Sequence, residues 1–327
     1  MADIDFVVTW VDFDDPKWRS KYTKYKPDKT STMNNSTRYK DYGTFKYWFR
    51  SVEKYAPWVR NIFLITDDQV PEWLNTKNKK IKLINHSDYI DKKFLPTFNS
   101  NVIELNIGNI KDLSNQFVLF NDDCFLNDFV SEEDFFKNGL PVDMGTFQPL
   151  IPDSEFSHIV LNDMVLINKW FKKKDILKKN FKKYFSLKYG LRRLISAATT
   201  LPFNELVGFY DGHLPTPYLK KTYAEVVEKA AKQLQKTNEN NFRKSSDINH
   251  WLIRYYEYCA GKFIPRNSGF GYFFELSDYK KFRSDIEQSK HKMVCINDID
   301  SEIAEKGKEV LRESLAKKFP EKSSFEI

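Results

Sequence analysis

Cysteine and histidine are scarce in this chain, with three Cys and five His among 327 residues. Cys124, Cys259 and Cys295 are odd in number and far apart, which excludes a disulfide scaffold or a cysteine-rich zinc module and fits a reducing compartment. Only 11 Gly and 13 Pro occur, against a fibrous or repetitive chain. No apolar run approaches the ~18 residues of a membrane-spanning helix. Asp3 and Asp5 lead straight into an apolar run, unlike a cleaved signal peptide, so a cytoplasmic protein is expected. Phosphate-loop, GxSxG and HExxH patterns are missing, and Gly269-Phe270-Gly271 is a lone GxG rather than a dinucleotide fingerprint. An ATPase, a nicotinamide enzyme and a serine hydrolase are thereby disfavoured.

What is present is aromatic and unevenly charged. Aromatics make up 16% of the chain and apolar residues 41%, enough for a large core and incompatible with global disorder. The net charge is +7, yet between Lys169 and Arg193 eleven basic residues accompany a single acid, Asp175. That surplus of ten exceeds the excess of the whole chain. Trp170, Leu177, Phe181, Tyr184 and Phe185 recur within it at helical steps. The segment reads either as a basic amphipathic helix that meets an anionic membrane or polyanion, or as a solvated helix packed on the core. No nucleic-acid-binding module accompanies it, so nucleic acid is not an expected partner.

Short apolar runs alternate with helical spacing through the first half. Residues 5–11, 61–66, 81–85 and 117–120 predict four buried strands, each leaving polar or acidic residues at its exit. Residues 43–55 carry helical spacing, and the polar stretch 17–35 predicts a mobile loop over a site. This pattern gives a Rossmann-like α/β sheet. The second half predicts mostly helices, at 218–234, 248–260 and 300–318, then a polar tail.

The most pointed feature is Asn121-Asp122-Asp123 at the exit of the fourth strand. Ligands of open α/β sheets sit outside such carboxyl ends. Paired acids there suit a divalent metal on a phosphorylated substrate, or they form an ordinary turn or helix cap. His213 lies in the stiff stretch Asp211-Gly212-His213-Leu214-Pro215-Thr216-Pro217, a mount for acid–base chemistry or a structural histidine. Arg243, ahead of Ser245, Ser246 and Asp247, either caps a following helix or reaches an anionic substrate. Glu104 stands alone in its local context.

Together these residues resemble a family. Ile4-Asp5-Phe6-Val7-Val8-Thr9-Trp10-Val11-Asp12 with Asp15-Pro16 is similar to the opening motif of the Stealth proteins. Matching blocks run from Arg38-Tyr39-Lys40-Asp41 through Lys46, Arg50 to Trp58, Leu95 to Asn101 and Glu104 to Phe120-Asn121-Asp122-Asp123. They continue at His213-Leu214-Pro215-Thr216-Pro217, Phe242-Arg243 with Asp247, and Cys295-Ile296-Asn297-Asp298. Phe13-Asp14 departs from the small pair usual in the family.

The resemblance implies a mixed sheet of the glycosyltransferase-A type flanked by helices in one catalytic domain. Residues 1–150 would form the half that binds the nucleotide sugar, 155–210 a basic helical insertion, and 211–327 a helical half completing the site. It implies transfer of a hexose 1-phosphate from a UDP-hexose or UDP-N-acetylhexosamine to a glycan hydroxyl in capsule or exopolysaccharide synthesis, with Mg2+ or Mn2+ as cofactor. Asp123, His213, Arg243, Glu104 and Asp122 are the implied catalytic residues, with Asp123 or His213 as base. Asp5, Trp10, Arg38, Lys46, Asn99, Asn121 and Asn297 are expected to bind substrate, Trp10 serving equally well as core, and Asp122 and Asp298 to hold the metal. A lipid-linked acceptor would bring residues 169–193 to the inner face of a bacterial plasma membrane. The competing readings are a metal-dependent glycosyltransferase that releases UDP and a non-catalytic glycan-binding protein.

Overall fold

The computed structural model describes residues 3–27, 32–35, 39, 41–298 and 303–327. Its centre is a five-stranded sheet of β1 (Ile4–Thr9), β2 (Ile62–Thr66), β3 (Ile81–Asn85), β4 (Gln116–Phe120) and β8 (Thr216–Leu219), in the order β3-β2-β1-β4-β8. The first four run parallel, and β8 pairs antiparallel with β4. β1, β2 and β4 are almost entirely buried, as expected of parallel strands covered on both faces. A second sheet joins β5 (Cys124–Leu126), β10 (Gly271–Glu275) and β11 (Met293–Asn297), and a third joins β6 (Phe136–Lys137), β7 (Leu140–Asp143) and β9 (Ile264–Pro265).

Helices α1 (Pro16–Tyr25), α2 (Phe45–Tyr55) and α3 (Ser100–Leu105) interrupt the strands of the first half. The second half adds α4 (Glu155–Trp170), α5 (Lys173–Tyr184), α6 (Leu191–Thr199), α7 (Lys220–Lys229), α8 (Ala231–Asn238), α9 (Trp251–Cys259), α10 (Tyr279–Gln288) and α11 (Ile303–Lys318). No helix among the described residues is long and apolar enough to cross a membrane. Two large apolar cores flank the main sheet. One is centred on Phe6, Trp48 and Phe120, the other on Val7, Phe117 and Tyr255.

The four strands read from sequence are present, and the helices at 45–55, 251–259 and 303–318 fall where spacing placed them. Three expectations are corrected. The stretch expected to be a mobile loop contains α1, capped by Asp15 accepting from the Lys17 and Trp18 amides at 2.7 and 3.2 Å. Its Trp18 and Tyr22 pack with Tyr39, Phe98 and Phe242. The basic segment is not one helix but α5, a short turn at Leu187–Tyr189 and α6. Lys173 is buried within it, donating to the Thr200 and Phe203 carbonyls. The C-terminal residues are no free tail: Phe325 is buried, and Glu326 makes a two-pronged ion pair with Arg50 at 2.7 Å per contact.

Candidate active site

Because β1, β2, β3 and β4 are parallel, their exits meet at one edge of the sheet. β2 and β4 flank β1, and such a switch point opens a crevice. A cleft of about 1050 Å3 lies there. Its walls include Trp10 after β1, Asp67 after β2, His86 after β3 and Asn121, Asp122 and Asp123 after β4. Asp211, His213, Arg243, Glu104, His250, Asn297 and Asp298 complete it. The implied catalytic set, drawn from positions 104 to 243, is thus gathered in one cavity.

Local bonding holds each part. Asp123 sits between β4 and β5; its carbonyl accepts from the Ile296 amide at 3.0 Å, and its Oδ1 accepts from Cys124 Sγ at 3.3 Å. The same sulfur lies 4.0 Å from the His213 carbonyl. β4, β5, β11 and the histidine loop are thereby pinned together. His213 takes a positive φ of 50°, a left-handed conformation unusual for a residue other than glycine and costly unless its surroundings impose it. They do so here: the His213 amide donates to Asp211 Oδ1 at 3.2 Å, and that oxygen also accepts from buried Arg254 at 2.6 Å. The imidazole stands edge-on to Phe273 at 5.1 Å.

Arg243 is held by reciprocal bonds with Asn34, amide to Oδ1 at 3.1 Å and carbonyl from Nδ2 at 3.0 Å. Its guanidinium donates twice to Ser100 Oγ, at 3.1 and 2.7 Å, and once to the Met33 carbonyl at 3.0 Å. It does not cap α9. There the Asn249 side chain accepts from the Trp251 amide at 2.8 Å. Asp247 fixes the Arg243 loop on α3: this buried carboxylate accepts from Asn99, Asn101, Asn240 and the Lys244 amide at 2.7 to 3.2 Å.

The electrostatics are strongly perturbed. Burial pushes Glu104 up to about 7, opposed by the Arg243 charge. Its Oε2 lies 3.5 Å from His250 Nε2. Burial, with Arg254 and His213 nearby, drives His250 down to about 3. At neutral pH the imidazole is therefore uncharged, while Glu104 stands near the midpoint of its own titration. His250 Nδ1 is 2.7 Å from the Tyr218 hydroxyl, which fixes the ring. Burial also pushes Asp122 well above the usual carboxylate range, aided by repulsion from Asp123 and Asp41. Asp41 is raised chiefly by burial, and Trp10 Nε1 donates to it at 3.2 Å.

This cluster of mutually repelling acids has the donor chemistry of a hard divalent cation such as Mg2+. Asp298 faces the same region: it accepts a bond from Tyr42, whose hydroxyl both Asp298 and Asp122 hold in its neutral form after burial has raised it. Asp123, Cys124 and Cys295 also place ligand atoms within 4.8 Å of one another. Burial raises both thiols, Cys124 up to about 12, so they are protonated, and their soft sulfurs do not suit Mg2+. Asp122 and Asp298 both act on the Tyr42 hydroxyl, and their carboxylate oxygens are the donor type a hard divalent cation takes.

Several expected substrate contacts are relocated. Asp5 is the second residue of β1, at the end of the sheet opposite the cleft. Its buried carboxylate is taken up by Arg60 and by the amides of Asn61 and Ser114 at 3.2 and 2.8 Å. Asn99 is buried and fully committed, capping α3 at the Asn101 amide and donating to Asp247 and Asn240. Lys46 does not line the cleft; its ammonium lies 5.3 Å over the Tyr47 ring. Trp10, Asn121 and Asn297 do line it, and Trp10 also stacks on Phe45 at 5.8 Å. Arg38 lies outside the described residues. Sequence reasoning missed His250, whose partner Glu104 is far away along the chain, and gave Asp41 and Ser100 no role.

Residues 38–143 match the family model described as Stealth protein CR2, conserved region 2. Over its full length the chain is 48% identical to capsular polysaccharide phosphotransferase WcwK of Streptococcus pneumoniae, covering 98% of that protein. It is 42% identical to exopolysaccharide phosphotransferase cps2G of Lactiplantibacillus plantarum, with 99% of this chain and 96% of that protein covered. It is 37% identical to receptor polysaccharide phosphotransferase WefC of Streptococcus oralis, with both chains fully covered. Among solved structures it is similar to the galactosyltransferase LgtC in complex with donor and acceptor sugar analogs, at 10% identity and a TM-score of 0.42 over 96% of this chain and 95% of that one.

Proposed function

This chain belongs to the Stealth family of polysaccharide phosphotransferases, and from that membership we propose that it transfers a hexose 1-phosphate from a UDP-sugar to a hydroxyl of a glycan acceptor and releases UMP. The observation that carries this reading is the convergence of Asp123, His213, Arg243 and Glu104 on one cleft.

The acceptor oxygen attacks the β-phosphorus, the bond to the bridging oxygen breaks, and that oxygen leaves on UMP. Such a reaction needs in-line positioning and charge neutralisation above all. Asp123 or His213 takes the acceptor proton, a role worth about 10²–10⁴-fold. Arg243, its guanidinium plane fixed by Ser100 and the Met33 carbonyl, serves phosphate oxygens in a way Lys would not. A divalent metal held by Asp122 and Asp298 would neutralise diphosphate charge. Below about pH 7 Glu104, beside neutral His250, presents a hydrogen-bond donor rather than a second negative charge to an anionic substrate. Trp10, Asn121 and Asn297 line the space left for the donor and acceptor. The acceptor glycan is free or lipid-linked. In the latter case the enzyme works peripherally at the inner face of a bacterial plasma membrane, through residues 169–193.

Asp123→Asn and Arg243→Ala are expected to abolish turnover while leaving the circular dichroism spectrum and the unfolding midpoint near those of the parent. Retained turnover in either variant would remove that residue from the mechanism.

A further inference from the structure

A second cleft, of about 460 Å3, lies away from the first and has no part in the reaction above. It is lined by Lys137, Lys188, Arg266 and Lys292 against Glu133 and Asp134. Lys137 pairs with Glu133 and Lys292 with Asp134, each at 2.9 Å. Among the described residues neither Lys188 nor Arg266 forms an ion pair, although the Asp143 and Asp134 charges act on Arg266. Among the described residues Lys188 Nζ donates only to the Pro265 carbonyl, at 3.3 Å. Arg266 is 4% exposed, and its guanidinium meets the Asp134 carbonyl at 3.2 Å and the faces of Phe270 and Phe135. Its Nε has no partner. A buried arginine with unmet donors calls for an anion.

The segment that carries Lys188 has a second unusual property. Leu187 is 86% exposed, Leu191 75% and Ile195 57%. They are spaced four apart along the turn at Leu187–Tyr189 and α6. Lys188 and Arg192, each next in sequence to one of these leucines, are also exposed. This turn is fastened to the loop bearing Arg266 by the Ser268 amide, which donates to the Lys188 carbonyl at 3.0 Å. Leu191 and Ile195 share a face of α6, Leu187 stands exposed just before the Gly190 break, and this exposed apolar ridge belongs to the segment whose Lys188 lines the cationic cleft. A soluble polyanion would use the cations and leave the leucines in water. An anionic bilayer uses both, since apolar insertion and charge attraction add.

We propose that the ridge Leu187, Leu191 and Ile195 docks on an anionic lipid bilayer and that the Lys188–Arg266 cleft receives a lipid phosphate headgroup. The surface deepens the membrane reading of residues 169–193 and narrows it: Lys173 and Lys183 are spent on backbone carbonyls, while the ridge and its cleft make the contact.

The test is flotation of the full chain with vesicles of phosphatidylcholine alone or mixed with phosphatidylglycerol, at low and high salt. Binding is expected only to the mixed vesicles, weakening as salt screens the charges. Leu187→Glu with Leu191→Glu, and separately Lys188→Glu, should each weaken it by about tenfold or more. Glycerol 1-phosphate at matched ionic strength should compete with the cleft's part of the binding and leave the double leucine variant's deficit unchanged. Equal binding to neutral vesicles, full binding by either variant, or a ridge-dependent dimer without vesicle binding would overturn the proposal. UMP release measured with a soluble acceptor separates the two readings. Its absence in a chain that still floats would sink the transferase proposal and leave the lipid surface standing, whereas turnover without flotation would do the reverse.

Discussion

Replacing Glu104 by Gln isolates one perturbed charge state in the cleft. The carboxyl lies near 7 in the folded protein against an ordinary 4.5, raised by burial. Below about 4.5 it is protonated in both folded and unfolded chains and contributes no pH dependence. Between 4.5 and 7 the folded chain holds a proton that the unfolded chain has released, so stability falls as pH rises. Across that window the loss is roughly 3 kcal/mol, from about 1.4 kcal/mol for each pH unit. Neutral Gln has the same shape and no such loss. Glu104→Gln should therefore gain roughly 3 kcal/mol relative to the parent between pH 4.5 and pH 8.

Buried His250 acts in the opposite sense. Its folded value near 3 lies below its ordinary 6.5, so it costs stability as pH falls below about 6.5. Above about pH 6.5 the imidazole is neutral in folded and unfolded chains alike, so it adds no pH dependence to the difference there. Urea unfolding of both proteins at half-unit pH steps reads the difference directly. A flat difference, or a variant that loses ground as pH rises, would mean that Glu104 is ionised and paired with a charged His250 or Arg243, and the neutral-pair reasoning would be wrong.

Two further outcomes follow from the same structure. Asp5→Ala should destabilise the fold by about 3 kcal/mol, because Arg60 and two amides lose a buried acceptor. The figure sits at the low end for such pairs, since Arg60 keeps a third of its side chain in water. Turnover per folded molecule should be unchanged, and a catalytic defect at full folding would return Asp5 to the donor site. Removal of divalent cations by EDTA should abolish turnover and added Mg2+ restore it, with Asp122→Asn raising the Mg2+ needed for half-maximal rate by about tenfold or more. Activity untouched by EDTA would exclude the metal.

The strands were legible because a parallel strand buried on both faces must be a short apolar run, and its exit must then carry whatever polar residues the site needs. That logic found the β1, β2 and β4 exits and Asn121-Asp122-Asp123; β3, also expected to be buried, is instead an edge strand with only Ile81 buried. It failed at β8, whose Pro217 argues against a strand; the structure places that strand at the sheet edge, where a missing amide is tolerated. It failed at α1 because Trp18 and Tyr22, not aliphatic residues, form the buried stripe. The Asp15 cap and Pro16 were the signal available.

Asp5 entered only with the family resemblance, and the partner that holds it at the far end of β1, Arg60, lies on another segment. His250 could not be read at all, since a lone histidine acquires meaning only from Glu104 and Tyr218, which the fold alone brings to it. Family resemblance supplied the catalytic set that local patterns left balanced against turns and caps.

The central claim is that the sugar leaves its donor with the β-phosphate attached, and the identity of the released nucleotide tests it most directly. Incubating the chain with UDP-sugars and a glycan acceptor, then separating the nucleotides, should yield UMP in step with acceptor modification, and none with Asp123→Asn. Release of UDP instead would place the attack on the sugar carbon and contradict the account.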